Sequence, residues 1–187
     1  MKLSILILLL PVLFSNAQTI GNFTLTNVTD NNKISLSSYN TSPAVIIIFT
    51  SNTCPFDRHY ADRIQKLADN YAGKIPVLLV NSFTDDEESV EAMRTHAQQQ
   101  KFTIPYLADK DQKVLIQFNA RKSPEAFLLK STAGKFTVAY RGAIDDNAQS
   151  AEDVFQFYLK DALERMLAGQ KVETTETRPV GCNIRRN

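Results

Sequence analysis

The chain has 187 residues, with 21 basic side chains set against 20 acidic ones, a formal net charge of +1 and 43% apolar content. That balance offers no basic footprint for nucleic acid, and two histidines without cysteines at ligand spacing argue against a zinc site. Neither a metal nor an organic cofactor is expected.

Residues 1–17, MKLSILILLLPVLFSNA, join a basic start at Lys2 to an apolar run broken by Pro11, with small residues at Ser15 and Ala17. This pattern predicts a signal peptide cleaved after Ala17, because the run is shorter than the roughly twenty residues a bilayer span needs. The expectation is an exported protein, periplasmic or secreted, with no membrane attachment after cleavage. Residues 18–170 then suffice for one domain with its own core, and 171–187 form a tail.

FTLTNV and ISLSSY alternate apolar and polar residues around the turn DNNK, which predicts a hairpin. AVIIIFT is apolar throughout and predicts a strand covered on both faces. Phe56, Tyr60, Ile64, Leu67 and Tyr71 recur at helical spacing until Gly73. IPVLLVN repeats the buried-strand pattern; the acids DDEE at 85–88 suit the first turn of a helix whose apolar face carries Val90, Met93 and Ala97. This order implies a parallel strand pair joined by a right-handed crossover.

IPYLAD and the short helical segment QKVLIQFNA follow, then EAFLLK and KFTVAYRG as two strands about STAGK. The segment SAEDVFQFYLKDALERMLAG predicts a last helix with Val154, Phe157, Tyr158, Ala162 and Leu163 on one side. The tail ETTETRPVGCNIRRN has no periodicity and reads as extended or loose. The expected class is α/β, three or four helices around a mixed sheet of about five strands.

Chemistry concentrates at FTSNTCPFDR. Pro55 belongs in a first helical turn, so Cys54 sits at the helix start, where free backbone N–H groups and the helix dipole favour a thiolate by about 0.3–1 kcal/mol. Arg58, one turn on, adds to that effect and Asp57 opposes it. Cys54 and Cys182 are the two cysteines, and outside the cytosol they must be paired, protected or in use. His59 and His96 read as solvated helix residues, and IDDN around Asp145 as a turn packed near the active face. The NxS/T triplets at Asn22, Asn27 and Asn40 matter only if the host glycosylates exported proteins.

From about Gly21 to Gly169 the order of elements, with FTSNTCPF and SPEAFLL, resembles the thioredoxin-like redoxins, the superfamily of thioredoxins and peroxiredoxins. The resemblance implies a thioredoxin-like fold, a central mixed sheet flanked by helices on both faces. Ser51 stands where Cys-x-x-Cys enzymes carry their first cysteine; in peroxiredoxins a hydroxyl residue at this spacing hydrogen-bonds the reactive thiolate. Pro124 matches the cis proline facing the active turn, Ser123 is the residue beside the thiol, and Arg121 is the candidate for the peroxiredoxin arginine. The peroxiredoxin proline upstream of the hydroxyl residue is missing, since Ile47 and Ile48 fill that region, and thioredoxin's buried acid has no counterpart in AVIIIF.

YRGAIDDN and the ending PVGC also resemble a group of redoxin-domain proteins, in which Cys182 would resolve an oxidised Cys54 from a mobile tail. The resemblance thus implies thiol-disulfide exchange or hydroperoxide reduction at Cys54, with Ser51, Cys182, Pro55, Arg58, Arg121, Ser123 and Pro124 around it. A thiol or disulfide protein, or a small hydroperoxide, would be the partner. The alternative is an inactive, partner-binding member in which Cys54–Cys182 is a structural disulfide or Cys54 a buried relic.

Overall fold

The computed structural model describes residues 18–187, so the signal peptide expected at 1–17 lies outside the described residues. After β1 (Thr19–Ile20), β2 (Thr24–Asn27) and β3 (Lys33–Ser35) form the expected hairpin, with Asp30 accepting the Asn32 N–H at 2.9 Å in its turn. Asn27 is buried, so its glycosylation triplet is not presented to solvent. A single 3₁₀ turn, Leu36–Tyr39, leads to β4 (Ala44–Phe49), all six residues of which are buried.

Burial on both faces follows from period-two alternation: Ile46 and Ile48 enter one core layer, Val45, Ile47 and Phe49 the other. β4 pairs parallel with β5 (Val77–Asn81), and the crossover between them is α1 (Pro55–Asn70). α2 (Val90–Gln99) returns the chain to β6 (Tyr106–Ala108), parallel to β5. Next come α3 (Lys113–Phe118), β7 (Lys122–Ser123), β8 (Glu125–Thr132), β9 (Lys135–Gly142), α4 (Tyr158–Leu167) and β10 (Cys182–Asn183).

Eight strands make one mixed sheet in the order β1-β9-β8-β4-β5-β6-β2-β3, and β10 pairs with β7 in a separate ribbon. α1, α2 and α4 cover one face through Tyr60, Ile64, Met93, Leu159 and Leu163. α3 covers the other through Val114, Leu115 and Phe118, where Phe118 meets Phe49 and Phe127 edge to face. The architecture is the α/β, thioredoxin-like arrangement that the element order implies.

Three expectations are corrected. The last helix begins at Tyr158, because Asn147 Oδ1 accepts the N–H groups of Gln149 and Ser150 and Asp146 Oδ1 accepts that of Phe155, holding 146–157 in turns. Val154 and Phe157 therefore precede the helix. The acids at 85–88 do not open α2, whose N-cap is Ser89; Asp86–Glu88 is a 3₁₀ turn that carries Glu88 inward.

The third concerns the tail, which is extended but not loose. Thr175 accepts the Arg141 N–H at 3.0 Å, Thr177 Oγ1 accepts that of Ala143 at 3.0 Å, and Ile184 joins the core. Gly142, at φ +133°, is the point of close approach: a Cβ there would overlap the Thr177 carbonyl.

Candidate active site

β4 ends at Phe49, and its backbone continues as Thr50–Cys54 before Pro55 starts α1. Cys54 is the N-cap residue, its carbonyl accepting the Asp57 N–H at 3.1 Å. Proline at the first helical position costs α1 no hydrogen bond, and this fixes the cysteine at the helix mouth.

A buried carboxylate shapes the turn from behind. Glu88 accepts from Ser51 Oγ (2.5 Å), Asn52 N (2.9 Å), Thr53 N (3.1 Å), Thr53 Oγ1 (2.9 Å) and Asn81 Nδ2 (2.6 Å). Burial pushes this carboxyl up, but the donors outweigh it and hold Glu88 below the usual carboxylate range. Tyr106 completes the network, donating to Asn52 Oδ1 at 2.8 Å and accepting from Asn81 at 2.7 Å. In the disulfide form Ser51 serves the backbone: its hydroxyl donates to Glu88 and accepts the Cys54 N–H at 3.1 Å.

A second buried acid lies on the α1 side. Asp57 is 6% exposed and accepts from Thr50 Oγ1 at 2.7 Å and from Ser123 Oγ at 2.5 Å. Burial pushes its pKa up to about 7, against the pull of those two hydroxyls. Asp57 also borders a cavity of about 180 Å³ between α1 and α2, shared with Arg58 and His96. His96 is half-buried there, edge-on to Phe102 at 5.6 Å, and burial lowers its pKa; it is not the solvated residue its helix position suggests.

The opposite wall is the C-terminal segment. Cys182 is disulfide-bonded to Cys54 across 128 residues, with the Cα atoms 6.0 Å apart. In β10 it lies opposite Ser123 and Asn183 opposite Lys122. Ser123 precedes Pro124 across a cis peptide bond, and its carbonyl oxygen stands 3.3 Å from Cys54 Sγ.

Of the residues expected at the site, Cys54, Ser51, Ser123, Pro124 and Cys182 converge, with Pro55 beside them. Arg58 is exposed and reaches back to the Thr53 carbonyl at 3.4 Å. Arg121 is exposed and contributes its backbone, whose carbonyl accepts the Ile184 N–H at 2.9 Å. Asp145 ties the loop after β9 to α1, accepting from Tyr60 and Arg63 at 2.7 Å each. Glu88 carried no local signal, since the turn it holds is more than thirty residues away, and Asn81 reaches that turn through Glu88 and Tyr106. Asp57 carried one: it lies three residues beyond the cysteine, on the same helical face.

Residues 17–145 match the model of the AhpC/TSA family. The chain belongs to the AhpC/TSA family. It is accordingly a redoxin-like oxidoreductase with a thioredoxin-like fold. The family match stops before α4 and the tail, so Cys182 lies outside it.

Among solved structures, the AhpC/TSA chain is similar to an uncharacterized conserved protein from Geobacillus kaustophilus, at 27% identity, 94% coverage of both chains and TM-score 0.83. It is also similar to a hypothetical protein from Sinorhizobium meliloti, at 29% identity, covering 90% of this chain and 92% of that one, TM-score 0.80. A secreted disulfide oxidoreductase from Mycobacterium tuberculosis shares the fold at 17% identity, covering 76% of this chain and 94% of that one, TM-score 0.57. No curated protein matches the chain.

Proposed function

We propose that the protein is an exported thiol-disulfide oxidoreductase whose redox pair is Cys54 and Cys182. The observation that carries this reading is the disulfide itself, at the mouth of α1 and beside Ser123. In the reduced form, the Cys54 thiolate attacks a substrate disulfide and expels one thiolate; Cys182 then attacks Cys54 Sγ, releases the second thiolate and restores the bond. Two electrons pass to the substrate, and an external dithiol returns them. Asp57 holds the Ser123 hydroxyl, and so steadies the residue whose carbonyl oxygen stands beside Cys54 Sγ.

Exchange is preferred over hydroperoxide reduction because the Ser51 hydroxyl is committed to Glu88. Among the described residues, no arginine or lysine side chain bonds either sulfur. Export rests on the leader-like residues 1–17 and on the compartments in which disulfides persist. The similar secreted disulfide oxidoreductase is consistent with it.

The packed tail supports a second reading, a permanent staple with the groove kept for binding. Equilibration in dithiol redox buffers, read by alkylation and mass spectrometry, separates the two. A potential between roughly −180 and −300 mV is expected for a working pair; a value below about −300 mV assigns the bond to structure. In a separate assay of substrate disulfide reduction, Cys54→Ser abolishes turnover while the far-ultraviolet spectrum is unchanged.

A further inference from the structure

β7 is two residues long, and its strand partner is the chain's own C-terminus. Every bond of that segment is one that an extended peptide could make. Ile184 N–H donates to the Arg121 carbonyl at 2.9 Å, Lys122 Nζ to the Gly181 carbonyl at 3.1 Å, and Gln112 Nε2 to the Arg185 carbonyl at 2.8 Å. Two positions depend on side-chain size. A Cβ on Gly181 would overlap the Ser123 carbonyl, so the residue before the cysteine must be glycine. Two residues after it, Ile184 is 7% exposed and packs into the core layer that holds Phe118 and Phe127.

We infer that residues 181–184 occupy a peptide-binding edge on β7, and that the protein's substrates are extended segments of the form Gly-Cys-x-aliphatic whose cysteine is in a disulfide. The inference rests on the exchange reading above and adds sequence selectivity to it. Main-chain bonds to β7 supply affinity, and the glycine and aliphatic positions supply discrimination. Cys54 thiolate attacks the segment's cysteine sulfur, forming a Cys54-to-peptide disulfide as the peptide's former partner leaves as thiolate. The tail then displaces the peptide from the same edge: Cys182 thiolate attacks Cys54 Sγ, the peptide leaves as thiolate and the observed bond is restored. Its attachment to the chain gives the tail a high effective concentration, so the product peptide does not linger.

The test uses the full-length protein carrying Cys182→Ser, which traps the adduct on Cys54. The probes are the peptides PVGCNIR, PVACNIR and PVGCNSR, each with its cysteine in a mixed disulfide to thionitrobenzoate, alongside glutathione disulfide. Capture of PVGCNIR at least about tenfold faster than of the other two is expected. Adding Ile184→Ser to the protein, which loosens its own tail, is expected to speed capture further. Equal rates for the three peptides, or no effect of Ile184→Ser, with glutathione disulfide still reacting, would overturn the selectivity and leave the exchange reading intact. No reaction with any probe in a folded protein would remove both.

Discussion

Two walls meet at the Cys54 sulfur, and they are held by different physics. The inner wall, Thr50–Thr53, is fixed by a buried carboxylate with five donors and by Tyr106 and Asn81 behind it. None of those bonds depends on the oxidation state of the cysteines. The outer wall, 181–184, is fixed by one disulfide, the short pairing with β7, the Ile184 N–H bond to the Arg121 carbonyl and one apolar side chain. A preorganised wall facing a detachable one is what an exchange site requires, since the second must be replaced by a substrate without disturbing the first.

Reduction is the strongest way to break the pairing of the two walls. Opening a bond that spans 128 residues removes about 5 kcal/mol in the chain-entropy model. Amide hydrogen exchange should then rise steeply over 181–187 and stay low over Thr50–Thr53 and α1. Equal loss of protection on both sides would mean that the disulfide, not Glu88, sets the inner wall.

Asp57 ties the walls together, because it accepts from Thr50 on one and from Ser123 on the strand that carries the other. Its pKa of about 7 lies above its ordinary value of 3.8, so the folded protein holds this proton more tightly than the unfolded chain. The resulting stability is fully present below about pH 4 and is lost as pH rises through 7, on the order of 4 kcal/mol. Asp57→Asn should flatten that decline in denaturant titrations taken across the range. An unchanged pH profile would show that Asp57 does not hold the proton. Glu88→Gln comes next, at about 3 kcal/mol, since it leaves at least one buried donor unmet and removes the charge from the rest. Its effect should fall on thermal stability and on the protection of Thr50–Thr53, with the tail unaffected in the oxidised protein.

The asymmetry also explains which parts of the molecule could be read from sequence. AVIIIF, the Phe56–Tyr71 face and IPVLLVN announced a central strand, a helix and a parallel strand because long buried elements impose periodicity. The two-residue β1 and the three-residue β6 impose none, so the sheet came out larger than expected. Cys54 and Pro55 mark the helix mouth locally, and a family resemblance extends that to Pro124. Glu88 looked like a helix-opening acid because only the fold brings it to residues 51–53. The tail read as extended or loose because, apart from Cys182, what holds it is close approach at two glycines, backbone bonds, one threonine and a single isoleucine, none of which leaves a pattern.

The smallest effect bears on how the tail is divided. Upstream of the disulfide, Thr177 Oγ1 bonds Tyr140 Oη at 2.5 Å and accepts the Ala143 N–H, and Thr177 N–H donates to the Arg141 carbonyl at 3.0 Å. This latch closes over Gly142 and involves neither cysteine, so it should persist after reduction and limit the released segment to the residues beyond it. Thr177→Val keeps the shape, removes two side-chain bonds and should cost about 1 kcal/mol. In the oxidised protein the disulfide masks most of that loss. In the reduced protein the variant should lengthen the exchanging segment from 181–187 back toward residue 172, next to α4. If wild type and variant release the same length of tail, the hinge lies elsewhere and the Thr177 contacts do not bound the mobile wall.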